Sequence, residues 1–427
     1  MAKAYVKTEL HPDLPAPASE SGKIKWLRDN LFNNWYNSIA TILIFYLAWL
    51  SLPPIIDWAI ISPVWEASSN KDCPRDGGAC WGMIDKRIGQ FMYGFYEPGE
   101  RWRPDLALIL FVVAMAPILF DKLPGRDKAA LFLIFIFPAV GIVLIHGPIE
   151  IVGMSGGGGL VFWGVLFAAA AGYGFWSAAD TNPGRATLSF AVAGLVAFLA
   201  FLAWGFGLPV METSSYGGLL LTLILAGVSI AVALPLGILL ALGRRADSMP
   251  IVQMLCIGFI EIVRAVPLIS VLFMAQFMLP LFLPEGVNFD NVVRALVGMS
   301  FFAAAYMAEV IRGGLQAIPK GQFEAADSLG LNYYLSMRLI VLPQALKIVI
   351  PGIVSTFIGL FKDTTLVSII GLSDILLVGK QSVTDSKWLG LEHEAYFFVA
   401  LVYFVFCFGM SRYSMYLEVK LHTGHKR

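Results

Sequence analysis

The sequence predicts an all-α, polytopic membrane protein of about ten transmembrane helices. Three observations carry that expectation. Of 427 residues, 58% are apolar and only 14% are charged, against about 45–50% and about 25% in a soluble domain. The apolar residues gather in runs such as Leu188 to Leu208 and Gly218 to Leu242, each long enough for a hydrocarbon core of about 30 Å, which takes about 20 residues. Lysine and arginine concentrate in alternate connections between the runs, the bias that orients membrane proteins. Formal net charge is zero, so bulk charge does not point to nucleic acid.

Residues 1 to about 22 are polar, contain Pro12, Pro15 and Pro17, and read as disordered. Residues 24–36 mix Trp26, Leu27, Leu31, Phe32 and Trp35 with Lys25, Arg28 and Asp29. That mixture fits a short amphipathic helix in the membrane interface, or a plain juxtamembrane linker. Spans are expected at about 38–61, 105–120, 129–146, 160–178 and 187–208. A second set falls at about 218–242, 265–283, 293–312, 341–361 and 395–415. The first run starts near Ser38, too far from Met1 for a signal peptide, so it is expected to be retained. The stretch 250–283 would measure about 50 Å as one helix, and Pro267 disfavours its continuation. Residues 250–264 are therefore expected along the inner face, with the crossing starting near Ala265.

With the N-terminus inside, the inner segments hold Lys23, Lys25, Arg28, Lys122, Arg126, Lys128, Arg244, Arg245, Arg338 and Arg412. The short outer loops 147–159, 209–217 and 284–292 hold no lysine or arginine. The outer loop 62–104 has six, but long loops translocate largely regardless of charge. Ten spans return the C-terminus to the inside. Cys73 and Cys80 share one outer polar loop and read either as a disulfide or as two free thiols. Cys256 and Cys407 sit in apolar runs as packing residues. Gly298, Ala303, Ala304, Ala305 and Ala308 make one span suited to close helix packing, and Gly156 to Gly159 read as a turn. No metal set is expected: His11, His146, His393, His422 and His425 form no ligand cluster within the spans.

The segment GLQAIPKGQFEAADSLGLNYYLSMRLIVLPQAL, residues 314–346, is unusually polar for a loop between late spans. Pro319 and Gly321 divide two helices, and Gln322 to Leu329 are good helix formers. Gly330 fits a helix C-terminus, Asn332 an N-cap, and Leu342-Pro343 the entry to the next span. The result is a short helix–turn–helix at the inner surface.

Glu324-Ala325-Ala326, then Gly330, then Ile340 and Leu342-Pro343, resembles the cytoplasmic EAA loop of binding-protein-dependent ABC permeases. Glu261 to Leu268, Tyr306 to Arg312, Pro319 to Gln322 and Lys362 to Leu366 are similar to segments of the polar amino acid permeases. Ala265 and Val266 stand where that subfamily carries Gly and Thr. The resemblance covers about residues 216–418; the N-terminal half, with RWRPDL at 101–106, looks like the larger permease subunit of the general L-amino acid transport system.

The resemblance implies three regions. Residues 1–37 would be a cytoplasmic tail with the interfacial helix. Residues 38–215 would be an accessory membrane region of about five helices, with a periplasmic loop at 62–104. Residues 216–420 would be the permease domain, whose five helices form a type I ABC importer core with a coupling loop at 313–340. Glu324, Ala325, Ala326, Gly330 and Pro343 would meet the ATPase. The partners implied are two ABC ATPase subunits, a second, homologous permease, a periplasmic amino-acid-binding protein and the bilayer. ATP and magnesium would sit on the ATPase, since this chain has no GxxxxGK[ST]. The location implied is a bacterial inner membrane, with both termini cytoplasmic.

Ionisable residues at membrane depth are functional candidates by default. Glu261 with Arg264, and Glu309 with Arg312, stand three apart and read as interfacial ion pairs on single helix faces. Lys362, Asp363, Thr364 and Thr365 follow the ninth expected span and read either as partners for an amino acid or as a capped helix end. With Glu309 and Arg264 they are the candidate substrate path. The alternative function is an ion-gradient-driven secondary amino acid transporter, which calls for acidic residues near span centres and matching broken helices in two halves; a membrane enzyme is a third class.

Overall fold

A computed structural model describes residues 22–73, 77–120, 122–148, 192–194, 196–198, 200–202, 204–246, 248–284 and 289–421. The expected tail disorder, the span at 160–178, part of the span at 187–208 and the glycine turn at 156–159 lie outside these residues. Seven described helices are long and apolar enough to cross a membrane, or eight if a bent pair counts as one span.

The chain forms two compact units, residues 1–85 and 86–427. In the first, a nine-residue helix Gly22–Asn30 precedes the long apolar helix Trp35–Ile56, which ends in a π turn, Asp57–Ile61. The helix expected over 24–36 thus starts at Gly22 and stops at Asn30, five residues short of Trp35. Thr41 is the one buried residue of the long helix, so its apolar side chains face outward, as lipid solvent requires. Beyond it, Trp58 and Trp65 pack against Trp81, with centroids 5.8 Å and 6.5 Å away. Cys73 is bonded to Cys80, with Cα atoms 5.7 Å apart. The backbone N–H groups of Ser68 and Ser69 hold the Asp72 carboxyl below its ordinary range. The expected outer loop 62–104 is not structureless: it contains the helix Trp81–Tyr93.

In the second unit, helix Asn291–Ala317 is the hub. In its apolar window 61% of the residues are buried, against 17% for the last helix, Glu392–Leu421. It lies along Gly218–Gly243, and small residues let the two approach. Ala303, Ala304, Ala305 and Ala308 are all buried, and a Cβ on Gly237 would stand 2.7 Å from Met307. Helices Pro250–Ala265 and Leu268–Phe282 meet at a 106° bend, with Pro267 as the N-cap of the second. The break falls where proline disfavours continuation.

The ninth span needs correction. The sequence suggests 341–361, whereas the continuous apolar helix long enough to cross runs Ile350–Ile370. Residues Met337–Val341 form a π turn and Leu342–Ile348 a separate short helix. Val349 leaves helical geometry at φ −99°, ψ 8°, and Pro351 opens the next helix, where its missing N–H costs nothing.

Three glycines bring chain segments together at the start of the core. Gly94 bridges Tyr216, and the Phe95 N–H donates to the Ser215 carbonyl over 3.1 Å. Gly218 donates to the Ser373 carbonyl over 2.8 Å. A Cβ on Gly94 would overlap the Gly217 backbone, and Gly94 has φ +66°. Gly94→Ala is therefore expected to cost about 3 kcal/mol through overpacking and left-handed strain, read as a lower melting midpoint of the purified protein. Asp374 beside this junction caps helix Ile375–Ser382 by accepting from Leu376 and Leu377 N–H. Burial pushes its carboxyl up to about 6, against the pull of those N–H groups.

Candidate functional site

The loop after the hub helix is stiff. Helix Lys320–Ser328 ends at Leu329, and Gly330 takes φ +71°. The Gly330 N–H donates to the Asp327 carbonyl over 2.9 Å and the Leu331 N–H to the Ala326 carbonyl over 3.2 Å. That pair of bonds is a Schellman motif, which satisfies the orphan carbonyls of a helix end. Two residues on, the Asn332 side chain accepts from the Leu335 N–H at 2.9 Å, capping Tyr333–Ser336. Gln344 then donates to Gln322 over 3.0 Å, tying the first loop helix to Leu342–Ile348.

The three residues of the EAA string divide by face. Ala326 is fully buried, while Glu324 and Ala325 are exposed. Pro343 is exposed near the start of its helix. Around Gly330 the loop exposes Leu329, Tyr333 and Tyr334 at 73%, 61% and 64%. The loop thus presents two carboxylates, Glu324 and Asp327, the small Ala325 and three large side chains, Leu329, Tyr333 and Tyr334.

Behind the loop lies a charged cluster drawn from three helices. Glu309 accepts from Arg312 Nε at 2.8 Å and from a second nitrogen of the same guanidinium. Its other oxygen lies 3.5 Å from both Arg244 and Arg264. Glu261 pairs with Arg244 at 2.9 Å. The expected Glu309–Arg312 pair is present; a Glu261–Arg264 pair is not. Both residues do lie on one helix, but each finds its partner on another. Arg264 also sits 5.5 Å from the Tyr306 ring centroid, a cation–π contact. Glu309→Gln would leave three guanidinium groups around a neutral side chain. It is expected to lose about 2 kcal/mol, the worth of a charged hydrogen bond, read as a lower melting midpoint.

Tyr306 also borders a cavity of about 330 Å³ lined with Phe302, Ser355, Thr356, Gly359 and Asp363. The candidate path residues do not converge there as a set. Lys362 and Asp363 close helix Ile350–Asp363 and Thr364 and Thr365 open the 3-10 turn Thr364–Ile370, within the apolar stretch Ile350–Ile370 rather than after it. Thr364 is buried, donates to the Phe361 carbonyl at 2.7 Å and lies 3.2 Å from the Tyr403 hydroxyl. Thr365 donates to the Lys362 carbonyl at 2.9 Å. Both hydroxyls are committed locally, and of the four only Asp363 lines the cavity.

Arg103 is the residue that sequence reasoning passed over. It is fully buried, and its guanidinium donates to the carbonyls of Leu144 at 2.6 Å, Pro209 at 2.9 Å and Val143 at 3.5 Å. Two of these are carbonyls from the last turn of helix Phe137–Ile145, where the dipole favours a cation. The Tyr96 hydroxyl donates to the Ile145 carbonyl at 2.8 Å beside it. An arginine just ahead of a proline and an apolar run was the available signal.

Apolar helices long enough to span a bilayer, packed on one hub helix and carrying a doubly capped polar loop, define a membrane-embedded subunit. Residues 233–422 match the family described as binding-protein-dependent transport system inner membrane component. Over 97% of both chains the sequence is 45% identical to the inner membrane amino-acid ABC transporter permease protein YhdY of Escherichia coli. The chain belongs to this family of ABC transporter permeases. It is also 43% identical to the glutamate/glutamine/aspartate/asparagine transport system permease protein BztC of Rhodobacter capsulatus, over 99% of each. The probable glutamine ABC transporter permease protein GlnP of Bacillus subtilis is 34% identical over 48% of this chain and 92% of its own. The chain is thus a multi-span membrane subunit without its own ATPase, of a kind that works with ATPase and binding-protein partners.

Proposed function

We propose that this permease passes polar L-amino acids, delivered by a periplasmic binding protein, across a bacterial inner membrane. It does so as one of two homologous permeases mounted on two ATPase subunits. The observation that carries the reading is the capped, exposed helix Lys320–Ser328 with Glu324 and Ala325 outward and Ala326 anchored. Such a helix moves as a rigid piece, so closure of the ATPase subunits around ATP can shift the helices behind it. Glu324, Ala325, Gly330 and Pro343 form the contact, and Ala326 fixes it to the bundle. Access to the cavity then alternates between the two sides, a population shift driven by differential binding.

Asp363 in the cavity supplies a partner for a substrate ammonium, and Arg264, across the Tyr306 ring, one for its carboxylate. Both termini lie in the cytoplasm, and residues 216–420 form the translocating core. The family match over residues 233–422 supports that division. Vesicles holding this chain with all its partners should take up amino acid when ATP is supplied, and vesicles holding this chain alone should not. Uptake that survives without the ATPase, or that stops when an ion gradient collapses with ATP present, would defeat the reading.

A further inference from the structure

We propose that the cavity between the end of helix Gly218–Gly243 and the exposed loop binds the phosphate of an anionic phospholipid. Arg244 and Arg245 follow directly on that 26-residue apolar helix, which sets them at the depth of the headgroups. With Phe323, Tyr333 and Met337 they line a space of about 360 Å³. The two arginines differ in their partners. Arg244 is committed to Glu261 at 2.9 Å and Glu309 at 3.5 Å. Arg245 donates to the Leu315 carbonyl at 3.4 Å and lies 6.0 Å from the Phe323 ring centroid. Among the described residues it forms no ion pair with a carboxylate. A guanidinium has five N–H donors in a planar fork, and a phosphate matches that fork in charge and geometry.

The neighbouring surface suits the rest of a lipid. Helix Pro250–Ala265 starts five residues after Arg245 and is tied to this corner by Gln253, which donates to the Arg244 carbonyl at 3.2 Å. Its residues Ile251, Met254 and Leu255 are 64–69% exposed at helical spacing. An arginine with no carboxylate partner among the described residues, near an exposed apolar ridge, fits a headgroup with its acyl chains. A free phosphate would use only the arginine, and an acidic side chain of a docked protein would leave the ridge uncovered.

The test uses the complete transporter, purified from membranes containing phosphatidylglycerol and placed in phosphatidylcholine with or without added phosphatidylglycerol. Retained lipid is counted by native mass spectrometry. Arg245→Glu is expected to lower retained phosphatidylglycerol about fivefold or more, the scale of one surface arginine. Arg245→Lys, which keeps charge without the fork, should fall between, and Arg412→Ala should match the unchanged protein. An unaltered elution volume would show that each variant is assembled. Equal retention by Arg245→Glu would overturn the proposal. So would displacement of the lipid by inorganic phosphate, or shedding of the ATPase by Arg245→Glu with lipid retained. The count reads lipid directly and does not depend on what docks on the loop.

Discussion

Gly330→Pro is expected to abolish ATP-driven uptake while the protein still reaches the membrane. Gly330 holds φ +71° and its N–H donates to Asp327. Proline has no N–H and locks φ near −65°, so it removes a bond and forbids the turn at once. The Schellman motif opens, and with it the angle between helix Lys320–Ser328 and the Asn332 cap. Few core contacts depend on Gly330, which is exposed. Uptake should fall by more than about tenfold, since misplacement of about 1 Å at a working contact can cost about a hundredfold. Transport assays with matched protein levels read the effect. Gly330→Ala is the graded control: it keeps the N–H and pays only the left-handed cost of about 1–2 kcal/mol.

Arg103→Leu is expected to destabilise the fold more than any other single change considered. The guanidinium is buried and serves three carbonyls while lying 3.5 Å from Glu100. Leucine matches some of its volume and none of its donors. Three acceptors and a carboxylate are left without their cation, and breaking such a buried pair costs about 3–5 kcal/mol. The readout is the melting midpoint in mild detergent, together with the yield of monodisperse protein. Arg103→Lys should lie between, because one ammonium cannot reproduce a fork that reaches Leu144, Val143 and Pro209. A variant as stable as the parent would show that these carbonyls find other donors.

What was legible in the sequence was local. Gly330 marks a left-handed helix end, Asn332 an N-cap and Pro267 a break, because each residue type answers a nearby backbone need. The bend between Pro250–Ala265 and Leu268–Phe282 follows from length and proline alone. The break inside the ninth expected span escaped notice because apolar runs do not show where a helix restarts; Pro351 is its sign. The charge cluster was half legible. Spacing of three put Glu309 with Arg312, but spacing cannot show that Arg244, 17 residues before Glu261 and further still from Glu309, reaches both. Arg103 and the Gly94–Gly217 approach depend on tertiary register, which no local pattern encodes. Lys362 to Thr365 show the converse: a suggestive polar string whose hydroxyls are spent on the backbone.

The most direct measurement is cross-linking from Ala325→Cys, at an exposed position beside Glu324, in a chain whose Cys256 and Cys407 are replaced by alanine. In inside-out vesicles carrying the assembled transporter, a thiol cross-linker should join this cysteine to the ATPase subunit, and bound ATP should change the yield. Labelling of the same cysteine by an impermeant reagent in intact cells, with no ATPase adduct, would contradict the account.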